Sequence, residues 1–132
     1  MIGVGVPLTL ALVYRWPHAP EAFQGDPIIV SAESGQWYWN LSHIELPIGT
    51  PIVFELTTVD VNHGFGVYDA DFELVTQAQA MPGYTNKLNY VFKKPGLYTV
   101  ACLEYCGVAH HAMLAEIDVV DPITFANNQT NE

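Results

Sequence analysis

The chain has 132 residues, half of them apolar and only 14% charged, a size and composition that fit one packed domain and exclude intrinsic disorder. Acids outnumber bases by 14 to 4, a formal net charge of −10, which excludes a basic nucleic-acid module. The charge is also segregated: nine acids, from Glu21 to Glu73, lie between Arg15 and Lys87 with no Lys or Arg among them, a run that solubilises the domain and would attract a basic protein partner.

Residues 1–14, MIGVGVPLTLALVY, carry no charge. At 1.5 Å per residue they reach about 21 Å, short of the ~30 Å hydrocarbon core of a bilayer. No basic residue precedes the apolar run, as a signal peptide would require. Residues 1–16 are therefore read as the end of a membrane anchor, with Arg15 and Trp16 at the lipid–water boundary; a short buried or interfacial segment is the other reading. Pro17, Pro20, Gly25 and Pro27 make residues 17–27 a stiff linker.

From residue 28 to 121 the pattern is that of strands. IIVSAES (28–34), QWYWNLS (36–42), PIVFELTT (51–58), LNYVF (88–92), LYTVAC (97–102) and MLAEIDVV (113–120) are short and rich in β-branched and aromatic residues. Gly35, Pro47-Ile48-Gly49, Pro82-Gly83 and Pro95-Gly96 punctuate them. Within PIVFELTT, Ile52, Phe54 and Leu56 share one face; within LYTVAC, Tyr98, Val100 and Cys102 alternate with Leu97, Thr99 and Ala101. No window reads as a long amphipathic helix. The expectation is an all-β antiparallel sandwich or barrel, followed by a loose tail over 122–132.

The chemistry concentrates in residues 102–113, Cys-Leu-Glu-Tyr-Cys-Gly-Val-Ala-His-His-Ala-Met. Cys102 and Cys106 are four apart, His110 is four further on and Met113 three beyond that. Thiolate, imidazole and thioether together are ligands for a soft or borderline metal, copper above all. His63, in Val-Asn-His-Gly-Phe, supplies a second imidazole upstream. One upstream His on a strand end and a Cys…His…Met loop is how a cupredoxin sandwich holds copper. A mononuclear site needs a single Cys. Two thiolates can bridge two coppers, each then needing one His and one weak ligand; His63, His110, Met113 and a backbone carbonyl within 102–106 complete that set. Three other readings use the same residues: a Cys102–Cys106 disulfide, a zinc site of both cysteines with His63 and His110 that leaves Met113 unexplained, and His111 as ligand in place of His110. His18 and His43 read as ordinary surface or packing histidines.

Cys-x-Glu-x-Cys-Gly-x-x-His-x-x-Met over 102–113 resembles the CuA loop of subunit II of the haem–copper cytochrome c oxidases. His63 in Asp-Val-Asn-His-Gly-Phe, the aromatic run Gln36-Trp37-Tyr38-Trp39, and Phe92-Lys93-Lys94-Pro95-Gly96-Leu97-Tyr98 resemble further parts of that family, so the likeness covers roughly residues 28–120. It implies a cupredoxin-like Greek-key domain on the outer, periplasmic or extracellular, face of a membrane. Electrons would come one at a time from cytochrome c or a similar protein donor and pass to haem in subunit I of a proton-translocating oxidase. By the same resemblance Cys102 and Cys106 bridge two coppers, His63 and Met113 complete one, and His110 and the backbone carbonyl of Glu104 complete the other. Trp37 matches the aromatic through which electrons are received. The Glu104 carboxylate matches one that some members use to hold magnesium at the subunit interface. Phe65, Leu103, Val108 and Leu114 are expected to keep water from the metals. With no haem motif and no acid–base constellation, the domain alone would transfer electrons and reduce no oxygen. The neighbouring readings are the CuA domain of a nitric oxide or nitrous oxide reductase, a small mononuclear cupredoxin carrier, and a metal-free interaction module.

Overall fold

The computed structural model describes residues 26–131; the expected anchor over 1–16 and nearly all of the linker over 17–27 lie outside them. Among the described residues, nine strands form two packed sheets. The strands are β1 (Ile28–Gly35), β2 (Tyr38–Leu41), β3 (Glu45–Pro47), β4 (Pro51–Thr58), β5 (His63–Tyr68), β6 (Leu74–Ala80), β7 (Asn86–Val91), β8 (Gly96–Cys102) and β9 (Leu114–Val120), followed by a helix, α1 (Pro122–Thr130). One sheet has the order β2-β1-β4-β7, the other β3-β9-β8-β5-β6. Among the described residues no helix is long and apolar enough to cross a membrane.

The sandwich is not purely antiparallel. β1 pairs with β4 in parallel, Ile28 opposite Ile52 and Ser34 opposite Thr58, and β3 pairs with β9 in parallel. β1 enters the sheet beside β4 and the intervening residues cross to the other sheet and back through β3, a connection that leaves the two strands pointing the same way. This corrects the antiparallel expectation while the all-β sandwich, similar to the cupredoxin fold, stands.

The core fills the space between the sheets. Ile52, Phe54 and Leu56 are fully buried, as their shared parity requires, and Phe65, Phe92, Val30 and Val100 meet them. Phe54 lies 5.1 Å from Phe65 and 6.4 Å from Phe92, and Phe92 stands edge-on to Tyr98 at 4.8 Å. Burying each such ring contributes about 1.5–3 kcal/mol, and truncating one to Ala costs about 3–5 kcal/mol with its cavity.

Strands β5 and β6 escape the sequence pattern for separate reasons. β5, HGFGVY, alternates core residues with glycines, and the glycines are there because another segment lies on that face. A Cβ on Gly66 would come within 2.5 Å of the Leu103 side chain. β6, LVTQAQA, is a half-exposed edge strand with little apolar alternation.

The tail is helical rather than loose. Asp121 caps α1, its carboxylate accepting from the N–H groups of Ile123 and Thr124 at 3.1 and 2.9 Å, and Pro122 begins the first turn, where its missing N–H costs nothing. Asn128 donates to both carboxylate oxygens of Glu45 at 3.0–3.1 Å, tying α1 to β3.

Candidate metal centre

Three segments meet at one end of the sandwich. β1 and β4 both run toward it, so the β1–β2 turn (Gln36–Trp37) and the β4–β5 connection (59–62) lie there beside the long β8–β9 loop (103–113). Parity carries the ligating side chains inward. On β8, Tyr98 and Val100 face the core, so Cys102 does too. On β5, Phe65 and Val67 face the core, so His63 does too, with no solvent exposure. Ile117 and Val119 of β9 are buried, and Met113 continues the same face at its start.

The loop then turns back on itself. Leu103 leaves the core to cover β5, its N–H donating to the Gly64 carbonyl at 2.9 Å. Cys106 returns inward, and a single 3-10 turn over His110–Ala112 brings the chain to Met113. Cys102 N–H donates to the Met113 carbonyl at 3.3 Å and closes the loop. Gly107 has a φ of 126°, a conformation other residues rarely adopt. A Cβ there would also stand 2.9 Å from the Trp37 ring.

The donor atoms converge. The Sγ atoms of Cys102 and Cys106 are 3.6 Å apart, too far for a bond, and both cysteines are free. His63 Nδ1 is 3.8 Å from Cys102 Sγ, and the Cys102 thiol donates to the Glu104 carbonyl at 3.1 Å. On the other side, His110 Nδ1 is 3.4 Å and Met113 Sδ 3.9 Å from Cys106 Sγ. The ligand atoms of His63, Cys102 and Cys106 all lie within 4.8 Å of one another. His111 is exposed and takes no part in these contacts, while His43 is exposed and engages Ser42 Oγ at 2.8 Å.

The electrostatics suit a soft cation. Burial, then the hydrogen bond and proximity to Cys102, push the Cys106 thiol up to about 11. Two thiolates so close need compensating positive charge, which a bound metal supplies, and sulfur with imidazole selects copper or zinc over hard cations. The buried Met113 thioether and the inward carbonyl add weak donors of the kind that accompany copper.

Asp60 lies behind His63. Desolvation would raise its carboxyl, but hydrogen bonds from His63, from the Gln36 N–H and from the Val61 N–H outweigh that and hold it at about 2. An ionised carboxylate can only accept, so the proton sits on His63 Nε2, 2.9 Å from Asp60 Oδ1. That leaves the Nδ1 lone pair facing the cysteines, the carboxylate–histidine arrangement usual behind a metal. The sequence reading missed Asp60, although its spacing three residues before His63 was available. It also missed Gln36, for which no local signal exists. The Trp37 indole N–H donates to the Cys106 carbonyl at 3.1 Å.

The water-excluding set needs correction. Phe65 is buried and Leu103 roofs β5, but Val108 and Leu114 are 81% and 57% exposed. Val108 sits on the outward side of the loop and Leu114 on the outward face of β9, and Trp39 forms the inner wall in their place, its ring centroid 6.1 Å from that of His63. With Tyr105 and Val59, 79% and 64% exposed, they make this end of the molecule an apolar surface. Asp69, Asp71 and Glu73 follow the end of β5, about 17 Å from His63 at 3.3 Å per residue, whereas Asp60 meets the cluster through His63 and Glu104 meets it through its carbonyl on Cys102.

Residues 42–120 match the family described as "Cytochrome C oxidase subunit II, periplasmic domain". Cytochrome c oxidase subunit 2 of Thermus thermophilus is 40% identical over 76 residues, 58% of this chain and 53% of that protein. Heme-copper oxidase subunit 2 of Aeropyrum pernix is 33% identical over 95 residues, 70% of this chain and 39% of that one. The chain thus spans about half or less of the curated relatives' length. The periplasmic domain of cytochrome oxidase subunit II from Bradyrhizobium japonicum has the same fold, with a TM-score of 0.65 at 23% identity over 87% of this chain and 94% of that one. A chain of a heme-copper terminal oxidase dimer matches with a TM-score of 0.63 at 25% identity, covering 90% of this chain and 97% of that one.

Proposed function

Because the chain belongs to the cytochrome c oxidase subunit II family, through its periplasmic domain, we propose that it is the binuclear copper (CuA) electron-transfer domain of a haem–copper terminal oxidase. It sits on the outer face of the membrane, receives electrons from cytochrome c or a similar protein donor, and hands them to haem in subunit I. One observation carries the reading: two buried thiols 3.6 Å apart, flanked by two imidazoles, a thioether and a carbonyl oxygen.

When bound, the copper pair supplies a reversible one-electron carrier. Cys102 and Cys106, as thiolates, would hold the coppers together with His63, His110, Met113 and the Glu104 carbonyl. The side chains come from strand ends and a closed loop, so their positions change little when an electron arrives. Asp60 keeps the His63 proton on Nε2 and Nδ1 free. Trp37, hydrogen-bonded to the peptide of a thiolate ligand, connects the surface to the site. The Glu104 side chain is exposed, accepts from Gln79 Nε2 at 3.4 Å, and has carboxylate lone pairs left to hold magnesium against subunit I. A mononuclear cupredoxin would have no use for the second buried thiol, and the subunit II relatives favour the oxidase over the nitrogen-oxide reductases.

Metal quantitation with EPR on the copper-loaded chain tests the proposal. Two coppers per chain and a seven-line hyperfine pattern are expected. One copper with a four-line pattern would overturn it.

A further inference from the structure

Gln36 contributes no donor to the metal cluster, yet both of its ends are engaged there. Its backbone N–H donates to Asp60 Oδ2 at 2.7 Å, and its carboxamide Nε2 donates to the Cys106 carbonyl at 2.7 Å. That carbonyl also accepts from the Trp37 indole at 3.1 Å, so both of its lone pairs are occupied. The other oxygen of Asp60 accepts from His63 Nε2–H. A continuous chain of hydrogen bonds, His63 to Asp60 to Gln36 to Cys106, therefore joins the two segments that carry the ligands without using a ligand atom.

The Cys106–Gly107 peptide is where such a link is needed. Gly107 must lack a side chain to let the Trp37 ring approach, and a glycine leaves its flanking peptides freer to rotate than any other residue. The carbonyl is that of Cys106 itself, so a turn about its Cα–C bond would change how the Cys106 side chain stands relative to the loop that follows. The two donors on the carbonyl oppose that rotation, and the Asp60 bond fixes the turn from which they reach.

We propose that Gln36 is a positioning residue for the metal centre, holding the Cys106 thiol in register with His63 before metal arrives. This rests on the dicopper reading, but part of its test does not. The side chain needs a donor at the full reach of a glutamine. Leucine keeps the size and loses the donor; asparagine keeps the amide and falls one methylene short. Gln36 is itself exposed, so neither change disturbs the core.

The test compares Gln36→Leu and Gln36→Asn with the unaltered full-length chain. In the reduced, metal-free protein the ¹⁵N–¹H resonance of the Gly107 amide, which belongs to the clasped peptide, is expected to move in both variants while the thermal midpoint stays unchanged. On loading, copper affinity is expected to fall by about 10–100-fold, the usual effect of removing a partner behind a ligand, and the reduction potential is expected to shift. An unmoved Gly107 resonance together with unaltered affinity and potential would overturn the proposal. If the unaltered chain binds fewer than two coppers, the dicopper reading fails, and the Gly107 resonance still decides whether the clasp exists.

Discussion

Asp60, in the connection between β4 and β5, lies three residues before His63, the first residue of β5, and the Asp60 carboxylate accepts from His63 Nε2 at 2.9 Å. The bond decides which imidazole nitrogen faces the cysteines, and it leaves a pH signature. The Asp60 carboxyl titrates at about 2 in the folded chain and at about 3.9 when unfolded. A depressed carboxyl stabilises the fold above its unfolded value, and that stability is lost as pH falls from about 4 to about 2. Asp60→Asn in the metal-free reduced chain should therefore lower the unfolding free energy at pH 7 and at pH 5, with the deficit shrinking below pH 4. Denaturant titrations across that range check it; a deficit that grew on acidification would contradict the assignment.

Cys106→Ser removes one of two thiolates. The dicopper spectrum should vanish, because one bridge cannot hold two coppers close together. Met113→Leu is nearly volume-conserving in a fully buried site, so folding should weaken by less than about 1.5 kcal/mol. Copper should stay, and the reduction potential should shift with loss of the weak axial donor. Voltammetry and EPR on the two variants separate the roles.

The adjacent histidines should part company. His110→Ala takes away the imidazole 3.4 Å from Cys106 Sγ and should perturb the centre strongly. His111→Ala, at an exposed position, should leave the copper spectrum as it was. The reverse result would put the loop one residue out of register.

Donor association should depend on the apolar end rather than on the far acids. Asp69, Asp71 and Glu73 lie beyond the ~10 Å screening length of 0.1 M salt from the metal cluster. Neutralising them together should leave the association rate within about twofold near physiological salt. Val108→Asn should slow it by removing a central apolar contact. Trp37→Ala should slow electron uptake while Gln36 still holds the Cys106 carbonyl and the copper spectrum persists. Stopped-flow mixing with reduced cytochrome c reads all three.

Glu104 binds copper through its carbonyl in this reading, so Glu104→Gln should still load two coppers. In the assembled oxidase the same variant should lose magnesium at the subunit interface. Metal analysis and EPR on one sample distinguish the outcomes; loss of the copper signal would make the side chain the ligand.

How much of this was legible depended on whether the signal was local. The candidate donors were readable because Cys102, Cys106, His110 and Met113 fall within twelve residues and their combined chemistry suits few metals. The helix α1 was also readable, in Asp121 and Pro122, but nine residues with no buried face leave no periodicity to notice. β5 was hidden by its glycines, whose purpose is visible only once Leu103 is seen lying across them.

Side-chain chemistry alone settled which atoms could bind metal, and the two-residue period of β8 put Cys102 on the same face as Tyr98 and Val100. The amino-acid sequence by itself could not determine what stands behind those atoms. Asp60 and Gln36 are 24 positions apart, and Gln36 and Cys106 are 70 apart. They meet only because the parallel pairing of β1 with β4 brings the β1–β2 turn and the β4–β5 connection to the same end as the cysteine loop. Ligand identity is a property of side-chain chemistry and is written locally. Ligand orientation depends on hydrogen bonds between segments, and the topology of the two sheets decides which segments meet.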